Sequence, residues 1–108
     1  MKPKVAIIFT GGTISMTVDE KVGAAIPTLT GSQILSMVSN IDKLAEIEVI
    51  EYAEIPGPHM TIDRLMEIRS LIQDLVKRND ISGVIITHGT DSLEETAYFL
   101  DLTINTPK

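Results

Sequence analysis

Two hydrophobic periods divide the chain. Val5 to Phe9 is an unbroken apolar run, as expected of a strand covered on both faces. Gly83-Val84-Ile85-Ile86, beginning near Ser82, is a second such run. Glu46 to Ile55 sets Ile47, Val49 and Tyr52 against Glu46, Glu48 and Glu51, which predicts a further strand. Ile62, Leu65, Met66, Ile68, Leu71, Ile72, Leu75 and Val76 instead follow helical spacing, with Arg64, Glu67, Gln73, Asp74, Lys77 and Arg78 on the wet face. Thr61 is placed to cap that helix, with Asp63 in its first turn and Lys77 and Arg78 in its last to suit the dipole. Leu93 to Leu102 predicts another helix, opened by Asp91 or Ser92, and Asp91 with Glu94 has capping-box spacing. A shorter helix follows Thr30 or Ser32, points Ile34, Leu35 and Val38 inward and stops at Ser39-Asn40, with Asp42 to Ala45 as a connection. Met16 to Thr28 shows neither period and is expected to be a surface loop, as readily an ordinary connection as a lid.

Strands and helices therefore alternate, which implies an α/β fold with a parallel sheet and right-handed crossovers. Such a sheet collects the turns after its strands at one edge, where open parallel sheets bind ligands. Those turns are Thr10-Gly11-Gly12-Thr13, Pro56-Gly57-Pro58-His59 and Thr87-His88-Gly89-Thr90-Asp91-Ser92. They bring Thr13, His59, Thr90 and Asp91 to a common edge. A threonine hydroxyl becomes a useful nucleophile once a neighbour takes its proton. Backbone N–H groups of a glycine turn can stabilise an oxyanion. A carboxylate beside them can hold an ammonium group. The set suits acyl transfer by a hydroxyl nucleophile. His88 is the residue of its turn that titrates near neutrality, although a histidine after a strand is more often a structural hydrogen-bonding group than a base. Each element also has a plainer reading, in which Thr13, Thr90 and Asp91 line turns or begin a helix and His59 is a surface residue.

Composition narrows the field. The chain has 108 residues, enough for one core, with 44% hydrophobic and 22% charged residues. Mean hydropathy of +0.20 argues against disorder. Nine basic and fifteen acidic residues give a net charge of −6, a sign that opposes a phosphate backbone and makes nucleic acid an unexpected partner. With no cysteine, disulfides, thiolate nucleophiles and thiolate metal sites are excluded, and a cytoplasmic location is allowed. Met1-Lys2-Pro3-Lys4 and the short run after it do not make a signal peptide, and no apolar stretch reaches the roughly 20 residues of a membrane span. Neither metal-ligand spacing nor a phosphate-loop pattern is present.

Thr10-Gly11-Gly12-Thr13-Ile14, followed later by Ile86-Thr87-His88-Gly89-Thr90-Asp91-Ser92-Leu93-Glu94-Glu95-Thr96-Ala97-Tyr98-Phe99-Leu100, closely resembles the bacterial-type L-asparaginase family. The second motif is long and highly specific, and the resemblance covers the whole chain. It implies a three-layer sandwich with a largely parallel sheet, the flavodoxin-like or Rossmann-like amino-terminal domain of that fold, spanning 1–108. It also implies that Thr13 is the nucleophile taking the aspartyl group from L-asparagine, that Thr90 is the second catalytic threonine and that Asp91 binds the substrate's α-amino group. Gly57, Pro58 and His59 fall on the substrate loop with them. L-Glutamine is the second candidate substrate, and no metal or organic cofactor is implied. The full-length protein is expected to be a cytoplasmic homo-oligomer, a dimer or tetramer.

Three departures from the family pattern matter. The family's catalytic lysine falls beyond residue 108, as does the second domain that completes a neighbouring subunit's site, so the chain is expected to be an amino-terminal portion with little activity alone. Many members carry a tyrosine in the loop after the nucleophile, whereas Met16 to Leu29 has none. The substrate loop reads Gly57-Pro58-His59-Met60 where a serine and a polar residue are common, and Ser92 stands where many relatives have threonine. Two other readings share these motifs: a non-catalytic amino-acid-binding domain, and the amidotransferase subunit that supplies ammonia to mischarged transfer RNA.

Overall fold

The computed structural model describes residues 1–108. Three strands, β1 (Lys4–Gly11), β4 (Glu46–Ile55) and β5 (Gly83–Thr87), form a parallel sheet in the order β4-β1-β5. β1 is central, with Ile7 opposite Val49 on one side and Ile85 on the other. Its apolar run serves both faces because both are covered. Ala6 and Ile8 join Ile68, Ile72, Leu75 and Ile81 in a core beneath α3 (Ile62–Lys77) and α4 (Leu93–Thr103). Ile7 and Phe9 point the other way and meet Ile34 of α1 (Gly31–Ser36). This is the expected three-layer α/β sandwich. Helices α3 and α1 are capped as their sequences suggest: Thr61 Oγ1 accepts from Arg64 N at 3.3 Å, and Thr30 forms a reciprocal capping box with Gln33.

β4 also feeds both faces. Ile47 and Val49 pack on the α1 side, while Ile50 and Tyr52 pack on the α3 side. Two of its glutamates are employed rather than merely wet. Glu51 accepts from Gly31 N at 2.6 Å, placing a carboxylate at the start of α1. Glu48 receives a two-pronged bond from Arg78, at 2.8 and 2.9 Å, and lies 3.2 Å from Lys4. Asp80 completes this charged cluster near the amino ends of the strands, 2.7 Å from Arg78 and 3.4 Å from Lys4.

Several expectations need correction. Met16 to Thr28 is not an irregular loop but an antiparallel hairpin, β2 (Met16–Asp19) with β3 (Ala24–Pro27). Neither of its faces is buried, so nothing selects the alternation that reveals a half-buried strand. Its turn is set by Asp19, whose Oδ1 accepts from Lys21 N and Val22 N at 2.8 and 3.0 Å. Helix α1 ends at Ser36, so Val38 lies outside it and is exposed. Ile41–Leu44 forms a further short helix, α2, entered through Asn40 in the left-handed region at φ 64°. Ile62 and Met66 are exposed although they keep the period of α3, while Ile68, Ile72 and Leu75 carry its buried face.

Candidate active site

Three turns meet at the carboxyl end of the sheet. The first follows β1, where Gly11 and Gly12 take φ values of +96° and +80° before a single 3₁₀ turn over Thr13–Ser15. Buried Ser15 fixes that turn: its N–H and Oγ both donate to the Gly12 carbonyl, at 3.1 and 2.8 Å, and its own carbonyl accepts from Thr28 N and Leu29 N, each at 2.9 Å. The second turn follows β4 as a 3₁₀ turn over Gly57–His59, with Pro58 pre-setting its backbone and His59 N donating to Pro56 O at 2.9 Å. The third runs from His88 to Asp91, between β5 and α4.

These turns touch backbone to backbone. A Cβ placed on Gly12 would lie 2.6 Å from Gly89 N, and one on Gly89 would lie 2.7 Å from both Cα and N of Gly57. Gly57 in turn faces Asp91, whose Cβ would be 3.2 Å from an added Cβ. Gly12 N donates to Ile55 O at 3.0 Å, tying the first turn to the end of β4. Glycine is required here by close approach, since any side chain would push one turn off another. Thr13, Gly57, Thr90 and Asp91 each belong to or adjoin this glycine contact, so the topology gathers them at one place. It lies where β1 is flanked by β4 and β5, at the strand-order reversal that open sheets use for ligands.

The hydroxyls at this end divide into two groups. Thr10 Oγ1 donates to Thr87 O at 2.6 Å, Ser15 Oγ to Gly12 O and Ser92 Oγ to Gly57 O at 2.8 Å. Thr13 and Thr90, by contrast, are exposed, as are Pro58, His59 and Asp91. The structural hydroxyls hold the turns and leave those two threonines facing solvent. No group of three or more acidic or histidine side chains converges into a metal-binding set.

One local expectation changes. Asp91 and Glu94 do not form the capping box that their spacing suggests: Ser92 is the cap of α4, and its side chain makes no cap bond because it is spent on Gly57. His88 is the structural hydrogen-bonding residue that its place after a strand suggests. Its Nδ1 is 2.7 Å from Gly89 O and its Nε2 is 2.8 Å from Thr96 Oγ1. Pattern alone does not mark Ser15, Ser92 and Thr96 as site-building residues. For Thr96 the available signal is a polar residue four positions after Ser92 on the same helix face.

A cavity of about 240 Å³ adjoins the third turn, lined by Ile86, His88, Leu93, Thr96, Ala97 and Leu100. It is largely apolar and sits between β5 and α4.

Comparison with known proteins agrees with this geometry. The family profile described as "Asparaginase, N-terminal" matches residues 4–108. An L-asparaginase of Bacillus licheniformis is 39% identical over 104 residues, covering 96% of this chain and 32% of the relative. A glutaminase-asparaginase of Acinetobacter glutaminasificans is 34% identical over 112 residues, covering 99% and 33% respectively. Among solved structures, a probable cytoplasmic L-asparaginase from Campylobacter jejuni superposes with a TM-score of 0.78 at 34% identity, over 92% of this chain and 28% of that one. The chain thus spans about a third of the length of the curated relatives it matches. It belongs to the asparaginase family and corresponds to the amino-terminal region of its members.

Proposed function

We propose that this chain is the amino-terminal domain of an amidohydrolase that converts L-asparagine to L-aspartate and ammonia, with L-glutamine as the alternative substrate. The observation that carries the reading is the contact of Gly12, Gly57 and Gly89, which puts Thr13 and the Thr90-Asp91 pair on adjoining turns at the sheet's switch point.

In this reading Thr13 Oγ attacks the side-chain amide carbon. The developing oxyanion takes hydrogen bonds from backbone N–H groups of the converging turns other than Gly12 N, which is already bonded to Ile55 O. The C–N bond then breaks, the nitrogen leaves as ammonia and an aspartyl ester remains on Thr13. Water adds to the ester, aspartate departs and the hydroxyl is restored. Thr90 relays the proton with a lysine supplied outside this span. Asp91 holds the substrate's ammonium group by a charge-assisted bond. Gly57, Pro58 and His59 contribute the wall facing the substrate carboxylate, through backbone groups or the imidazole. The 108-residue chain is expected to lack turnover alone, since losing an activating group costs orders of magnitude in rate. A cytoplasmic, homo-oligomeric full-length protein belongs to the same proposal.

Ammonia release from asparagine by the full-length protein carrying this region tests the reading. Thr13→Ala should reduce kcat by about a thousandfold or more. Asp91→Asn should act substantially through KM. Undiminished turnover in Thr13→Ala would refute the nucleophile assignment, and substrate binding without turnover in the parent would favour an amino-acid-binding domain.

A further inference from the structure

We propose that His88 is a positioning residue, held by Thr96 so that its ring braces the turn presenting Thr90 and Asp91. The Gly89 carbonyl can only accept, so the ring nitrogen 2.7 Å from it, Nδ1, carries a proton. In the neutral ring Nε2 is then an acceptor, and Thr96 Oγ1 at 2.8 Å is its donor. Thr96 is buried, and it lies one helical turn beyond Ser92 on the same face of α4. The opening of α4 therefore carries two hydroxyls with related tasks: Ser92 grips the β4 turn at Gly57, and Thr96 grips the β5 turn through His88.

The ring spans a short distance with large leverage. Gly89, which His88 holds by its carbonyl, is also the glycine wedged between Gly12 and Gly57. A change in the His88 ring would shift Thr90 and Asp91 relative to Thr13 without touching any of the three. The value of this placement for catalysis rests on the amidohydrolase reading. The geometry itself does not, and can be tested on this chain.

The test is nitrogen-15 NMR of the neutral imidazole, together with backbone nitrogen-15 relaxation, in the wild type, Thr96→Val and Thr96→Ser. The wild-type ring should be the Nδ1–H tautomer, with Nε2 showing the shift of a hydrogen-bonded acceptor. Thr96→Val should lose that Nε2 signature. It should also lower the backbone order parameters of Gly89, Thr90 and Asp91 while leaving those of β1 unchanged. Thr96→Ser should restore both. An Nε2–H tautomer in the wild type would overturn the proposal. So would order parameters in Thr96→Val that are unchanged at this turn, or that fall equally across the domain as a general loss of stability would cause. If Thr96→Val does not fold, the wild-type tautomer and Thr96→Ser decide the matter. None of these outcomes depends on ammonia release, so failure here leaves the amidohydrolase reading standing.

Discussion

The Ser92 hydroxyl, at the start of α4, donates a 2.8 Å hydrogen bond to the carbonyl of Gly57, 35 residues earlier in the chain. This bond joins the turn after β4 to the turn after β5 where the proposed substrate loop meets Asp91. Ser92→Ala should cost about 1 kcal/mol in urea unfolding and should loosen amide exchange from Gly57 to Met60 ahead of the sheet. Ser92→Thr keeps the donor and should behave like the wild type. Equal exchange in all three proteins would show that the bond does not hold the loop.

The glycine contact makes a graded set of substitutions. Gly12→Ala combines a positive φ with a Cβ 2.6 Å from Gly89 N, and should cost about 3 kcal/mol or more. Gly89→Ala should be of the same order, from collision with Gly57 alone. Gly23 also has a positive φ but open space around it, so Gly23→Ala should cost only about 1 kcal/mol. Gly83→Ala meets nothing within 4 Å and should lie within about 0.5 kcal/mol of the parent. Denaturant midpoints of the four variants check the order, and a mild effect at Gly12 would break it.

The charged cluster below the sheet predicts a pH dependence. Arg78, with Lys4 behind it, holds the Asp80 carboxyl down to about 2. Arg78 likewise lowers Glu48 below its ordinary range. Both carboxyls bind protons more weakly folded than unfolded. Their stabilisation is therefore complete above the ordinary carboxylate range, near pH 4, and is lost as pH falls toward about 2. Asp80 is half exposed, so its share is modest and should shrink with added salt. Asp80→Asn should unfold at lower urea than the parent at neutral pH, and the two curves should converge in acid. A gap that widens in acid would contradict the assigned sign.

Strand β5 pairs only with β1, leaving its other edge open, and its Ile85 is exposed, as are Leu93 and Leu102 of the helix that follows it. Open, apolar edges pair with other chains. Concentrated samples should therefore self-associate, weakly because the net charge of −6 repels. Size-exclusion chromatography should show earlier elution as concentration rises, and Ile85→Lys should suppress it. A monomer peak at every concentration would rule this out.

The layered fold was readable in the sequence because burial imposes periods. Val5 to Phe9, Gly83 to Ile86 and the spacing from Ile68 to Val76 each send residues to the core under α3, and Val5, Ile7 and Phe9 serve the opposite face. The hairpin after Ser15 was not readable, because Thr17 and Val18 are both exposed and no face selects its pattern. The gathering of Thr13, Thr90 and Asp91 follows from strand order, and alternation of elements together with the motif resemblance was enough to anticipate it. The parts that fix the site were hidden for a different reason. Ser92, Thr96 and Ser15 work through single hydrogen bonds to groups distant in sequence or set by a local turn, and a hydroxyl carries no periodic signal. Asp91 and Glu94 show the converse error, since the right spacing for a capping box gave way once Ser92 had a tertiary partner.

The central claim is that Thr13 carries the acyl group. The most direct measurement is acid quenching of the full-length protein during turnover of L-asparagine, followed by peptide mass mapping. An aspartyl ester on the peptide containing Thr13, absent from Thr13→Ala, is the predicted result. An ester on a different residue, or the same adduct in Thr13→Ala, would contradict it.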